Sequence, residues 1–218
     1  LITRWKELGK INGKEYIVKT IVTTETIKTI AERNGVEMYD VYTGFKWIAN
    51  VMRENEGKKN YIGGGEESYG FLCEDFVRDK DAVSACVILA EIAAWAKDQG
   101  LSLYQLLQKI YVEYGFSKEK GISVVKKGKS GAEEIEAMMK KFRENPLTEI
   151  AGSKVTYFYD YSTLKGKDYA ENETVTLDMP TTSNVIQYFT EDNTKVSIRP
   201  SGTEPKIKFY CEVHSKVK

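Results

Sequence analysis

The sequence predicts an α/β three-layer domain with a mostly parallel sheet, followed by an α+β domain whose antiparallel sheet packs on helices. Three observations carry this. Through residues 1–114, short apolar or β-branched runs alternate with helical periodicities, the pattern of a parallel-type layer. Near Tyr114-Gly115 that alternation stops. Beyond it, one amphipathic helix is followed by alternating runs separated by turn residues, which reads as a helix against antiparallel strands. The boundary is placed between Val112 and Ser117, giving domains 1–114 and 115–218.

Leu1 to Leu8 reads as the end of a helix and Gly9 to Gly13 as a turn. Tyr16 to Val22 is β-branched and apolar, a strand covered on both faces. Thr24 to Asn34 is a helix with Ile27, Ile30 and Ala31 on one side, stopped by Gly35. A strand over Val36 to Tyr42 follows. Thr43-Gly44 then opens a helix that turns Ile48, Val51 and Met52 inward. Asn60 to Ile62 is a short strand running into the loop Gly63-Gly64-Gly65-Glu66-Glu67-Ser68-Tyr69-Gly70. Asp79 or Asp81 caps the next helix, which ends near Gly100. Its Ala82 to Ala96 stretch is apolar nearly all round, as in a buried core helix. Ser102-x-x-Gln105 is a capping box for a helix with Leu103, Leu106, Leu107 and Ile110 inward. Ligands of parallel α/β layers gather at the carboxyl ends of strands, and the Gly63–Gly70 loop lies at such an end.

In the second half, Gly121 to Lys127 reads as a strand and Ser130-x-x-Glu133 as a capping box. Ile135, Met138, Met139 and Phe142 fall at i, i+3, i+4 and i+7 of an amphipathic helix, with Pro146 beyond its end. Lys154 to Tyr161 alternates as a strand, and Ser162 to Thr174 reads as a polar loop. Val185 to Thr190, Lys195 to Ile198 and Lys206 to Val213 complete a meander.

Composition excludes several classes. With 218 residues, 41% hydrophobic and 29% charged, a folded protein of one large or two small domains is expected. Lys+Arg and Asp+Glu are both 32, and this neutrality argues against a nucleic-acid binder. The cluster Lys126, Lys127, Lys129 and Lys140 reads as a solvated face. The 3 cysteines have no CxxC spacing and the single His214 cannot complete a zinc site with them, so free thiols in a reducing cytoplasm are expected. No membrane partner is expected either, because the apolar run at Ala82–Ala96 is too short to span and carries Glu91. The first residue is Leu rather than Met, and the protein is expected to continue upstream.

Two phosphate-loop patterns fail. Gly128-Lys129-Ser130 would need Gly at 123, where Ser123 stands. Gly63-x-Gly65 would need a third Gly at 68, where Ser68 stands. What remains is chemistry without a pattern. Glu66 could accept hydrogen bonds from vicinal sugar hydroxyls, with Ser68 beside it; equally, Glu66 and Glu67 could be acids opening a helix. Tyr69 could serve only for packing. Lys46 and Lys80 could be surface lysines or charges directed at a phosphate. Arg199-Pro200-Ser201-Gly202-Thr203-Glu204-Pro205 reads as a loop between strands that gathers a planar guanidinium, two hydroxyls and a glycine. Such a loop suits a phosphate dianion, and a tight hairpin with an exposed arginine would use the same residues. A sugar-hydroxyl loop in one domain and a phosphate loop in the other together imply a phosphosugar.

At these residues the chain resembles the α-D-phosphohexomutases, the phosphoglucomutase/phosphomannomutase enzymes. The resemblance rests on Thr43-Gly44-Phe45-Lys46-Trp47-Ile48, Gly65-Glu66-Glu67-Ser68-Tyr69-Gly70, Lys80-Asp81 and the Arg199–Pro205 stretch, and runs over essentially the whole chain. It implies the third and fourth of four domains, the C-terminal half. It implies a sugar loop that places its Glu on Glu66 and its Ser on Ser68. The phosphate loop falls on Arg199, Ser201, Gly202 and Thr203. Lys80 is the match for the family's lysine after the sugar loop, and Thr43, Gly44 and Lys46 are further candidate substrate contacts. The family's Thr-x-Ser-His-Asn-Pro phosphoserine loop and its Asp-Gly-Asp-x-Asp loop for Mg²⁺ are not in this sequence, whose one histidine is His214. The resemblance therefore implies hexose phosphates and hexose 1,6-bisphosphate as ligands, Mg²⁺ bound elsewhere in the parent enzyme, and no metal or catalytic residue here unless Lys80 is one. It also implies that these residues alone have no mutase activity. The alternative is a non-catalytic phosphosugar-binding module, distinguished by the sequence upstream of Leu1. The preferred sugar and the oligomeric state stay open at this point.

Overall fold

The computed structural model describes residues 1–126, 128–202 and 204–217. They form two compact units, Leu1–Phe116 with the residues after Ser215, and Ser117–Ser215.

The first unit is a four-stranded sheet in the order β2-β1-β3-β4. Strand β1 (Glu15–Thr20) is central and pairs in parallel with β2 (Glu37–Val41) and β3 (Asn60–Gly65). Helix α3 (Phe45–Asn55) covers one face, where Phe45, Ile48 and Met52 pack on Tyr16, Val18 and Tyr61. Helices α1 (Ile2–Glu7) and α2 (Thr26–Arg33) cover the other, with Ile2 and Ala31 against Ile17 and Ile62. Alternate residues of β1 thus enter opposite cores, which is why Tyr16, Ile17 and Val18 are apolar in succession rather than alternating.

Two polar groups interrupt that run. Lys19 is 1% exposed, and its Nζ meets Asp40 Oδ1 at 2.7 Å and Glu25 Oε1 at 3.1 Å. Burial alone would lower its pKa, but the two carboxylates outweigh it and the net shift is upward. Glu15 Oε2 accepts from the backbone N–H groups of Asn12, Gly13 and Lys14 at 2.8, 3.1 and 3.2 Å, and its Oε1 accepts from Asn60 Nδ2 at 3.1 Å. The turn before β1 is folded around this carboxylate.

Three expectations for this unit need correction. Strand β3 runs through all three glycines to Gly65 and returns antiparallel as β4 (Phe71–Cys73), so the predicted loop is a hairpin turn. A Cβ on Gly64 would be 2.6 Å from the Tyr61 hydroxyl and would also overlap the Val18 carbonyl, so glycine there permits strand contact. Helix α4 (Ala82–Asp98) is capped as predicted by Asp81, which accepts from Val83 N and Ser84 N at 3.1 and 3.2 Å. Yet it is not a core helix: Val83, Val87 and Leu89 are 75%, 54% and 55% exposed, and Ala96 alone is buried. Its inner residues Ile88, Ile92 and Trp95 face a cavity of about 1300 Å³ that Ile17, Ile27 and Ile62 line from the sheet and α2. An all-round apolar helix needs cover on every side, and here the layer supplies one. Helix α5 (Leu103–Tyr114) has the predicted capping box, but Leu103 and Leu107 are 42% and 40% exposed. Among the described residues no helix is long and apolar enough to cross a membrane.

Strand β5 (Phe116–Val125) leads into the second unit and starts earlier than expected. The eight-stranded sheet runs β5-β12-β11-β10-β7-β8-β9, with β6 (Glu149–Ile150) paired to β7 (Ser153–Asp160). Strands β10 (Ile186–Thr190), β11 (Lys195–Pro200) and β12 (Lys206–Ser215) form the predicted meander. Helix α6 (Gly128–Glu144) lays Ile135 and Met139 on Ile186, Tyr188, Ile198 and Ile207. It begins at Gly128, so Ser130 lies inside its first turn rather than capping it. The stretch expected to be a polar loop contains β8 (Lys165–Asp168) and begins β9 (Glu173–Thr176), an antiparallel pair. Both strands are mostly polar, β8 lying between β7 and the edge strand β9, so no hydrophobic alternation marks them. The three thiols are free, Cys73 buried, Cys211 half-buried and Cys86 exposed.

Candidate functional site

In the first unit the candidate residues gather at the carboxyl ends of β1, β2 and β3. The turn between β3 and β4 is closed by Glu66 N–H donating to Gly70 O at 2.8 Å. Its tip is tight enough to force Tyr69 to φ 64°, and the Tyr69 ring is fully exposed. Tyr69 is thus not a packing residue, and Glu66 and Glu67 open no helix. Glu66 is half-buried, and the backbone N–H of Gly44 donates to its Oε1. Gly44 is the N-cap of α3 at φ 118°, a left-handed backbone region that favours glycine. The carboxylate therefore sits at the positive end of a helix dipole, where an anion is favoured.

Phe45 was not singled out from the sequence, and it organises this corner. Its ring is 5% exposed and lies so close to Gly70 that a Cβ there would be 2.6 Å from it and 3.4 Å from Glu66 Oε2. Lys80 comes from the segment before α4, and its Nζ lies 5.5 Å from the centre of the same ring. The ammonium also meets Asp79 Oδ1 at 3.2 Å, and this contact holds the Asp79 carboxyl below its ordinary range. The structure thus brings Glu66, Gly44 and Lys80 around one aromatic side chain. Thr43 is half-buried beside Gly44. Lys46 is exposed and turned onto Trp47, 4.8 Å from the ring centre. Ser68 is exposed at the turn, its Oγ donating to Glu67 Oε1 at 3.5 Å. Thr20, also not foreseen, ends β1 and donates from Oγ1 to Glu67 Oε2 at 3.4 Å. A hydroxyl at the carboxyl end of a buried strand is the signal that could have found it.

In the second unit the phosphate-loop candidates lie where β11 turns into β12. Arg199 and Pro200 belong to β11 rather than to the loop, opposite Lys208 and Ile207. Proline is tolerated there because β10 ends opposite Ile198, so no ladder acceptor lies on the side that the Pro200 nitrogen faces. Ser201 N–H donates to Lys206 O at 2.8 Å, and Lys206 N–H donates to Glu204 O at 2.7 Å. The Lys206 ammonium pairs with Glu204 and holds that carboxyl low. Lys126 N–H donates to Pro205 O at 2.8 Å, tying the loop to the residue that follows β5. Arg199 and Ser201 are half-buried and Gly202 is exposed. Thr203 lies outside the described residues. Among the described residues no group of three or more His, Cys, Asp or Glu side chains is placed to hold a metal ion.

An α/β/α layer bearing an anchored carboxylate, followed by an antiparallel α+β unit with Arg199 and Ser201 where β11 turns into β12, has the fold of solved phosphoglucomutase and phosphomannomutase structures. A solved structure of pp63/parafusin, a phosphoglucomutase from Paramecium in its open form, superposes with a TM-score of 0.61 over 91% of this chain and 32% of its own, at 18% identity. The family model for phosphoglucomutase/phosphomannomutase alpha/beta/alpha domain III matches residues 1–114, and that for the C-terminal domain matches 123–218. The chain belongs to the phosphoglucomutase/phosphomannomutase family. It is 36% identical over 214 residues to a phosphoglucomutase of Staphylococcus haemolyticus, and 40% identical over 197 residues to one of Staphylococcus aureus. It spans 39% and 35% of the length of these two relatives.

Proposed function

We propose that the chain supplies the sugar-holding and phosphate-holding parts of an isomerase that moves a phosphoryl group between C1 and C6 of a hexose phosphate through a bisphosphate intermediate. Residues 1–114 hold the sugar and 115–218 hold the phosphate that is not reacting. The observation that carries this reading is the Glu66 carboxylate, anchored through one oxygen by the Gly44 amide at the mouth of the parallel sheet, in a chain matched by both family models. Glu66 accepts from the sugar hydroxyls, with Ser68 and Thr43 beside it. Lys80 and Lys46 supply positive charge near the transferring group. Arg199, Ser201, Gly202 and Thr203 hold the distal phosphate. Much of phosphoryl-transfer catalysis is such positioning and charge neutralisation.

The phosphoserine that donates to the sugar, and the Mg²⁺ beside it, belong to parts of the parent enzyme beyond these residues. The chain alone then turns over no hexose phosphate. The proposed partners are hexose phosphates, hexose 1,6-bisphosphate and the parent's other domains, in the cytoplasm.

The test is made in the whole enzyme. Arg199→Ala is expected to raise KM and lower kcat, with about ten- to a hundredfold weaker binding for one lost charge-assisted contact. Glu66→Gln is expected to lower kcat/KM comparably. Unchanged kinetics in either variant would remove that residue from the site.

A further inference from the structure

The hairpin turn that carries Glu66 holds its side chains unequally. Glu66 Oε1 accepts from the Gly44 amide, Glu67 Oε2 accepts from Thr20 Oγ1 at 3.4 Å, and Ser68 Oγ donates to Glu67 Oε1 at 3.5 Å. These three side chains are tied back to the unit or to one another. Tyr69 is not, and it is 103% exposed. An aromatic ring is a large apolar surface that burial ordinarily stabilises.

The backbone at this residue is unfavourable as well. Tyr69 has φ 64° and is the only aromatic residue with positive φ among the described residues. A bulky side chain in the left-handed region is strained, whereas a glycine or a short polar side chain such as Asn visits it readily. Asn172 and Asn193 take that conformation at two other turns of this chain. The glycine of this turn is at 70 and is not in the left-handed region; its missing Cβ makes room for the Phe45 ring. The strained position thus carries the ring, and the ring gains no packing within the chain. Backbone strain of this kind persists where the group it presents is used.

We propose that Tyr69 is a sugar-stacking residue, its ring face lying against the C–H groups of the pyranose whose hydroxyls Glu66 and Ser68 bind. This rests on the sugar-loop reading and deepens it, by naming a second feature of the substrate that the loop recognises. The C–H groups of a pyranose are polarised by the neighbouring oxygens, and the face of an aromatic ring is its negative side. The turn then divides the sugar between two kinds of contact. Hydroxyls at the rim go to oxygen acceptors, and the apolar face goes to the ring. A ligand with hydroxyls and a phosphate but no closed ring makes the first contact and not the second.

The experiment reads melting temperature in the 218-residue chain and kinetics in the whole enzyme. The substrate is glucose 1-phosphate, with glucitol 6-phosphate and inorganic phosphate as competitors that lack a sugar ring. Tyr69→Asn is expected to raise the melting temperature by about 2–4 °C, because the left-handed backbone is relieved. The same change is expected to raise KM about three- to tenfold, the loss of one stacked contact, with the effect on KM rather than on kcat. Inhibition by the two ring-free competitors should not weaken with it. Tyr69→Phe should keep KM within about twofold, since the ring face is retained. A fall in melting temperature on Tyr69→Asn would mean that the ring is packed within the chain, and would overturn the proposal. An unchanged KM, or equal weakening of glucose 1-phosphate and the ring-free competitors, would overturn it too, as for a ring that packs on another part of the parent or merely stiffens the turn. If Glu66→Gln lowers kcat/KM and Tyr69→Asn leaves KM alone, stacking falls and the sugar-loop reading stands. If neither change matters, the sugar-loop reading falls as well.

Discussion

Glu66 and Glu15 are carboxylates held in different ways, and the contrast separates the proposed sugar contact from a folding role. Glu66 is held through one oxygen by Gly44 at the tip of an exposed hairpin. Glu15 is 1% exposed, with both oxygens engaged by three backbone donors and Asn60. Burial works to raise the Glu15 pKa, but these hydrogen bonds outweigh it and leave it below its ordinary 4.5. A carboxyl whose pKa is lower in the folded state stabilises the fold above its unfolded value, and that contribution is lost as pH falls through the lowered one. Glu15→Gln should therefore destabilise the chain at pH 7 and flatten the fall of melting temperature as pH drops below the ordinary 4.5 of a glutamate. Parallel acid limbs for the two proteins would refute this account of Glu15. Neither anchoring was legible beforehand: Glu15 precedes the predicted strand without any motif, and Glu66, which the family resemblance places in the sugar loop, was by its own chemistry equally compatible with opening a helix.

At the scale of elements, periodicity found those elements whose two environments differ. Helix α6 shows this best, since Ile135 and Met139 face a sheet while its charged residues face water. Strands β8 and β9 were missed because their pairing comes from backbone hydrogen bonds and leaves no apolar signature. The glycines at 63–65 were noticed for the wrong reason. They are not part of the loop but the last three residues of β3, where β1 and β4 close in from both sides. Gly64→Ala should then be among the most damaging single-atom additions in the first unit. A methyl group there overlaps the Val18 carbonyl and lies 2.6 Å from the Tyr61 hydroxyl. The expected cost is about 1–3 kcal/mol, measured by denaturant unfolding. Gly121→Ala is the control, because a Cβ at Gly121 meets nothing within 4 Å. Equal effects at the two positions would refute the close-approach explanation.

For the whole molecule, the exposed side of α4 is the largest departure from expectation. Val83, Val87 and Leu89 give it an apolar surface facing water, and surfaces of that kind bind apolar probes. Purified chain is expected to enhance the fluorescence of an apolar dye. Val83→Lys, Val87→Glu and Leu89→Lys combined should reduce that signal while leaving far-UV circular dichroism and melting temperature nearly unchanged. A large loss of melting temperature would mean that these side chains are packed in solution. The sequence by itself determined most of the longer elements, the succession of a parallel-type α/β unit and an antiparallel α+β unit, and the family. Local periodicity, capping chemistry and short motifs are properties of neighbouring residues, and they survive being read along a line. The tertiary structure alone decided that Gly44 grips Glu66, that Phe45 lies beneath Lys80, and that Lys208 faces Arg199. Each of these contacts joins residues on different elements, and which pairs meet depends on strand register and layer closure rather than on local sequence.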